Sequence, residues 1–126
     1  MRSDVNVKEA AVARFHLKGS SWFYEKVRNG GDWDYKKHGS RYQSFGNFNY
    51  GASGAAFGFS EDTLLRMAGW AQVKAGTSRS DWGEAPSKWE AYFGVGGRAP
   101  FGDDPIDRKW ILHGIEYYRN QGSARK

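Results

Sequence analysis

Cysteine is absent from the 126 residues, which excludes a thiol nucleophile, a thiolate zinc site and any disulfide framework. The chain can fold in an oxidising or a reducing compartment. No stretch approaches the roughly 20 consecutive apolar residues needed to span a bilayer, and the first eight residues, Met1 to Lys8, lack the apolar core of a signal peptide. The expectation is a soluble chain, without membrane insertion, whose export is directed by something outside it. His-rich, HExxH and EF-hand spacings are also missing, so no dedicated metal site and no cofactor are expected. Nor is there an internal repeat or a long low-complexity linker. One compact domain, residues 1–126, is the economical reading at this length.

What the chain does have is aromatic side chains. Six Trp, seven Tyr and eight Phe make 17% of the residues, so rings must supply much of the core. Charge is unevenly placed. Residues 1–50 carry nine basic and five acidic side chains, 60–107 carry five and eight, and 108–126 carry five and one. Cationic ends and a mildly anionic middle give a net charge of +5. That balance suits a phosphate backbone or another polyanion, and it equally suits a solvated basic surface.

Helical signals dominate. Ala11, Val12 and Phe15 recur at helical spacing between Val5 and His16, which predicts a first amphipathic helix. Ser20 or Ser21 starts a second helix carrying Trp22, Phe23 and Val27 and ending at Asn29-Gly30-Gly31. The stretch Asp32 to Gly39 alternates rings and charges and reads as extended or irregular. Gly51, Gly54 and Gly58 with Ala52, Ala55 and Ala56 suggest a helix lying close to another element. Ser60-Glu61-Asp62 is a clear helix start, followed by the stripe Leu64, Met67, Ala68 and Ala71 and a stop at Gly76. Residues 77–104 read as a long ordered loop, with a short helix or turn at Ser87 to Tyr92. Asp104-Pro105 opens a last helix through Trp110, Ile111, Gly114, Ile115 and Tyr118, fading at Asn120 to Gly122. The sum is a mainly α, small single-domain fold of four to five helices with a long ordered loop before the last one.

Several residues offer chemistry. In an extended segment Asp34 and Lys36 share a face, as a proton-transfer or phosphate-clamping pair or as a plain exposed ion pair. His38 lies close by in sequence and suits a general acid or base, although lone histidines are usually surface residues. His16 and His113 sit in helices with a scaffold role. Between aromatic anchors, the run Phe45 to Gly54 packs Asn47, Asn49 and Tyr50 among three glycines. These side chains suit an oxyanion, a phosphate or a sugar hydroxyl; the competing reading makes Asn47 or Asn49 a helix cap. Asp103 and Asp104 are adjacent carboxylates that a metal or a glycosidic bond can use, but Asp104 as an N-cap beside a solvated Asp103 is favoured.

Three stretches, Trp22 to Lys36 with its Val27-Arg28-Asn29-Gly30-Gly31-Asp32-Trp33-Asp34-Tyr35-Lys36 core, Phe45 to Ala52, and Gly102-Asp103-Asp104-Pro105, together resemble the polymorphic toxin type 44 domain of bacteria, over roughly residues 20–120. The resemblance implies a mainly helical C-terminal module of a secreted toxin used between bacteria, with ribonuclease activity. Its polar motif positions fall on Asp34, Lys36, Asn47, Asn49, Tyr50, Asp103 and Asp104. Lys37 stands where the pattern carries a polar Gln and, with Arg41, adds cations for substrate binding; Asp103 and Asp104 join them in that role. His38 and His113 match no family motif, and residues 77–99 follow no family pattern. Along the chain the expectation is an N-terminal helix (1–18), a toxin core (19–122) and a disordered tail (123–126).

Three functions compete on this reading. The first is metal-independent RNA cleavage, with Asp34 or His38 as base, Lys36, Asn47 and Asn49 stabilising the phosphorane, and Tyr50 orienting the substrate. The second is a periplasmic toxin that hydrolyses cell-wall glycan, and the third is a binding module without enzymatic activity. Implied partners are RNA and a cognate immunity protein with an acidic surface, for a monomeric domain delivered into a target cell, its cytoplasm ahead of its periplasm.

Overall fold

The computed structural model describes residues 3–15, 19–27, 31–33, 35 and 42–124. Six helices follow one another: α1 (Ser3–Phe15), α2 (Ser20–Val27), α3 (Gln43–Phe57), α4 (Glu61–Lys74), α5 (Lys88–Phe93) and α6 (Pro105–Ala124). Among the described residues there is no strand, only an isolated bridge between Glu84 and Arg98. The fold is mainly α, as expected, with six helices among the described residues where about four to five were expected. The chain divides into two compact units, Met1–Phe59 with Trp110–Lys126, and Ser60–Lys109. Helix α6 gives its first residues to the second unit and the remainder to the first.

In the first unit α1 packs on α3. The buried positions of α1 are Asn6, Val7, Ala10 and Ala13, while Val12, expected in the apolar stripe, is 56% exposed. Small residues explain the turned face: Ala10 and Ala13 meet a helix whose own buried side is Asn49, Ala52, Ser53 and Ala56. Helix α3 also crosses α6 at glycine. A Cβ on Gly51 would overlap the Ile111 carbonyl oxygen, and a Cβ on Gly114 would overlap the Phe48 carbonyl oxygen. Backbone thus meets backbone from both sides.

Rings fill the rest of this unit, as the composition requires. Phe23, fully buried, lies 5.6 Å from Phe57, 5.4 Å from Phe59, 6.0 Å from Tyr50 and 6.3 Å from Trp33, centroid to centroid. Helix α3 ends in a Schellman motif, with Gly58 at φ 112° and its N–H bonded to Ala55 O at 3.1 Å while Phe59 N–H reaches Gly54 O at 3.0 Å. Gly58 is therefore the stop of this helix, outside its packing stripe.

The second unit is built from α4, α5 and their loops. Ser60 caps α4 by accepting from Thr63 N–H at 3.2 Å, as the sequence announces. The buried face is Thr63, Leu64, Leu65 and Gly69, with Met67 and Ala68 half-buried and Ala71 exposed. A Cβ on Gly69 would strike the Phe101 carbonyl oxygen, so loop backbone occupies the face where larger residues were expected. Ser87 and Glu90 form a reciprocal capping box on α5. Helix α6 runs on to Ala124, past the expected fade at 120–122 and into the segment read as a disordered tail.

Candidate functional site

A buried polar seam runs between α1 and α3. The Asn6 amide donates one hydrogen to Tyr35 Oη at 2.7 Å and another to Asn49 Oδ1 at 3.0 Å, so both of its donors are used. Asn6 and Tyr35 are each 7% exposed and Asn49 is 0% exposed. Ser53 Oγ donates to the Asn49 carbonyl one turn back. Burying an amide without such partners costs about 1–3 kcal/mol, which is why this seam holds together as a network. Tyr35 packs edge-on against Phe45 at 4.9 Å, and its Cβ lies 3.6 Å from where a Cβ on Gly46 would stand.

The residues just before Tyr35 are fastened as well. Trp33 N–H donates to Lys26 O at 2.7 Å, and its buried ring meets Trp22 edge-on at 5.8 Å. Gly31 presses on the end of α2, where a Cβ would come within 2.6 Å of Lys26 O. Lys26 reaches Glu9 at 3.1 Å and Asp32 at 3.2 Å and lies over the Trp22 and Trp33 rings at 5.6 and 5.7 Å. Burial pushes the Lys26 ammonium down, but hydrogen bonds and charge from Glu9 and Asp32 outweigh it, leaving its pKa raised. The raised value means this contribution is whole below about pH 10.4 and is lost only as pH climbs through the folded-state pKa. One lysine thereby ties α1, α2 and the Asp32 turn together at any neutral pH.

Five of the sequence candidates, Asp34, Lys36, Lys37, His38 and Arg41, lie outside the described residues. Asn47, Asn49 and Tyr50 all lie inside α3, which starts at Gln43 after Tyr42, with no side-chain cap bond. The capping role weighed for Asn47 and Asn49 is thus replaced by mid-helix positions. Asn47 is half-buried and donates to Gln43 O at 3.2 Å. Tyr50 is half-buried with its ring against Phe23. Gly51, one of the three glycines of this run, packs against the Ile111 carbonyl of α6, which leaves no open space beside it.

Asp103 and Asp104 belong to the second unit. Asp104 is the expected cap, its Oδ1 accepting from Ile106 N–H at 2.8 Å. Asp103 departs from expectation: it is 3% exposed instead of solvated. The loop folds it inward through Gly102 N–H to Trp82 O at 2.7 Å, Asp103 N–H to Pro100 O at 3.1 Å and Ser78 Oγ to Gly102 O at 2.6 Å. Two neighbouring carboxylates with such different surroundings do not form an open acid–nucleophile pair. Asp104→Ala should cost about 0.5–2 kcal/mol through the lost cap, read as a lower urea midpoint with an unchanged slope.

The sequence model of a family described as Bacterial toxin 44 matches residues 6–120. This chain belongs to that family. No curated protein and no solved structure matches it. As a Bacterial toxin 44 domain it carries its charge asymmetrically: residues 1–59 with 110–126 hold twelve basic and six acidic side chains, net +6, and residues 60–109 hold seven and eight, net −1. Among the described residues of the toxin domain, no group of three or more His, Asp or Glu side chains converges, and no helix is long and apolar enough to cross a membrane. Two polar residues of the seam, Asn6 and Tyr35, were not singled out from the sequence. Tyr35 stands between the charged Asp34 and Lys36, which carry the stronger local signal; Asn6 carries none, because its partners are 29 and 43 residues away.

Proposed function

We propose that this toxin domain cleaves RNA inside a target bacterium without a dedicated metal. The observation that carries the reading is the net charge of +6 on the unit that also contains Asp34, Lys36, His38, Asn47, Asn49 and Tyr50. A phosphate backbone is drawn to that unit, whose cations include Lys37 and Arg41, the residues read from the sequence as substrate-binding. In this mechanism Asp34 or His38 takes the proton of a ribose 2′-hydroxyl, and the freed oxygen attacks the adjacent phosphorus. Lys36 and Asn47 stabilise the negative phosphorane, Tyr50 orients the nucleotide, and the 5′-oxygen leaves with a proton. Asn49, fully buried, serves by holding Asn6. The products are a 2′,3′-cyclic phosphate end and a 5′-hydroxyl end.

Incubating the purified domain with total RNA, with and without chelator, tests this directly. Fragmentation in both arms, with a DNA strand left intact for want of a 2′-hydroxyl, is the expected result; intact RNA at protein doses that kill cells sinks it. A wall-directed glycan hydrolase is the second reading, favoured by exposed rings on α5, where Trp89 is 68% and Phe93 is 70% exposed. Killing that requires export of the domain to the periplasm would select it. Unchanged toxicity after Asp34→Ala and Asn47→Ala would instead select a binding module.

A further inference from the structure

We infer that the outward edge of α6, carried by Trp110, His113 and Tyr117, is a binding surface for single-stranded RNA. The choice of polymer rests on the ribonuclease reading; the surface itself is one that reading does not use. Helix α6 buries Asp107, Ile111, Gly114 and Ile115, and the close approach of Gly114 to the Phe48 carbonyl fixes that side inward. Positions 110, 113 and 117 recur at i, i+3 and i+7, so their rings stand in one row along the helix, about 10 Å from first to last. Trp110 and Tyr117 are half-buried and His113 is exposed. The Trp110 and His113 rings meet edge-on at 5.5 Å. Tyr117 packs on Phe48 at 5.3 Å, and its hydroxyl accepts from Gln121 Nε2 at 2.6 Å. Each ring is held by a neighbour, so the row is preorganised and binding loses little further side-chain freedom.

Charge selects the occupant. From residue 108 to the end the chain carries five basic side chains and one acidic, Glu116. Exposed Lys109 stands four positions before His113 on the same helix, next to the row of rings. Trp110, His113 and Tyr117 all belong to the unit of net charge +6. A polyanion is drawn to that unit, and the unpaired bases of a single strand offer flat faces to its rings. The rings of α5 are more exposed, with Trp89 at 68%, but their unit has a net charge of −1, so the same argument does not extend to them. A duplex keeps its bases stacked inside, and the row therefore prefers an unpaired strand. Stacking accepts every base, so the surface carries little sequence preference.

Titration of the whole chain into a short fluorescein-labelled single-stranded RNA tests this by anisotropy at several salt concentrations. The probe carries methylated 2′-hydroxyls, so the proposed mechanism cannot cut it. Trp110→Ala should weaken binding by about 5- to 50-fold and His113→Ala by about 3- to 10-fold, neither changing the salt dependence. Lys109→Ala should weaken it as well and flatten the slope of log affinity against log salt by roughly 0.7. Tyr24→Ala, which removes a 43% exposed ring from the same unit, should stay within about twofold of the parent. The same strand presented as a duplex should bind at least about tenfold more weakly. Should Trp110→Ala fail to fold, His113→Ala, at an exposed position, carries the test alone. A parent that does not bind the probe, a duplex bound equally well, or folded Trp110→Ala and His113→Ala within about twofold of the parent overturns the inference. So does a parent dimer that Trp110→Ala dissociates, which gives the edge to a second copy of the chain. The ribonuclease reading fails separately: unmethylated RNA left intact by a parent that binds the methylated probe removes that reading and leaves the surface standing.

Discussion

Gly51→Ala is expected to destabilise the toxin domain by about 2 kcal/mol, lowering its melting temperature by roughly 8 °C. The added methyl would overlap the Ile111 carbonyl oxygen, and Gly114 meets the Phe48 carbonyl in the same way from the opposite helix. Both obstacles are helix backbone, so relief requires α3 and α6 to separate along their crossing. Overpacking of this kind costs about 1–3 kcal/mol and more when nothing can rotate aside. The better helix propensity of Ala returns only about 1 kcal/mol. Gly46→Ala is the internal control. It lies in the same helix, with Tyr35 Cβ at an ordinary 3.6 Å as its nearest neighbour, and should be neutral or stabilising by up to about 1 kcal/mol. Gly51→Ala together with Gly114→Ala should cost less than the sum, because the first substitution already opens the crossing the second needs. Scanning calorimetry of the parent, the three single variants and the double gives the comparison, and equal melting temperatures for Gly46→Ala and Gly51→Ala would refute it.

Phe23→Ala is expected to cost about 3–5 kcal/mol, roughly a fifth or more of the stability of an ordinary domain. Phe23 is fully buried and meets Trp33, Tyr50, Phe57 and Phe59 within 6.3 Å of its centroid. Its loss removes the hub of the ring cluster, and neighbours that are themselves planar and mutually packed cannot close the hole. Phe23→Leu keeps most of the volume and should cost less than half as much. Urea unfolding followed by tryptophan fluorescence measures both. A loss below about 1 kcal/mol for Phe23→Ala would mean the rings repack freely.

Helix starts were legible where a side chain announces them. Ser60 and Asp104 bond the first turns of their helices, and the Ser87–Glu90 capping box marks the short α5 in the same way. Helix α3 lacks such a signal: Tyr42 precedes it without a capping bond, so its start was misplaced by several residues onto Asn47 or Asn49. Faces were harder to read than helices. Hydropathy pointed α1 along Ala11, Val12 and Phe15, yet its partner is a small-residue surface that accepts Ala10 and Ala13 closely. Which stripe is buried depends on the shape of the opposite helix, and that shape is not encoded locally. Asp103 follows the same logic, since three loop hydrogen bonds turn it inward. Of the candidate centre, the motif around Asn47 to Tyr50 was visible because it is dense in polar side chains; the coupling through Asn6 was not, because it is purely tertiary.

That seam is also costly to close. Its two bonds join residues 29 and 43 positions apart, and closing loops of that length loses chain entropy that only a formed α1–α3 contact can offset. Helical turns form on far shorter timescales than such long-range closures. Local helix formation therefore does not by itself assemble the seam, which exists only where distant stretches of the chain have met.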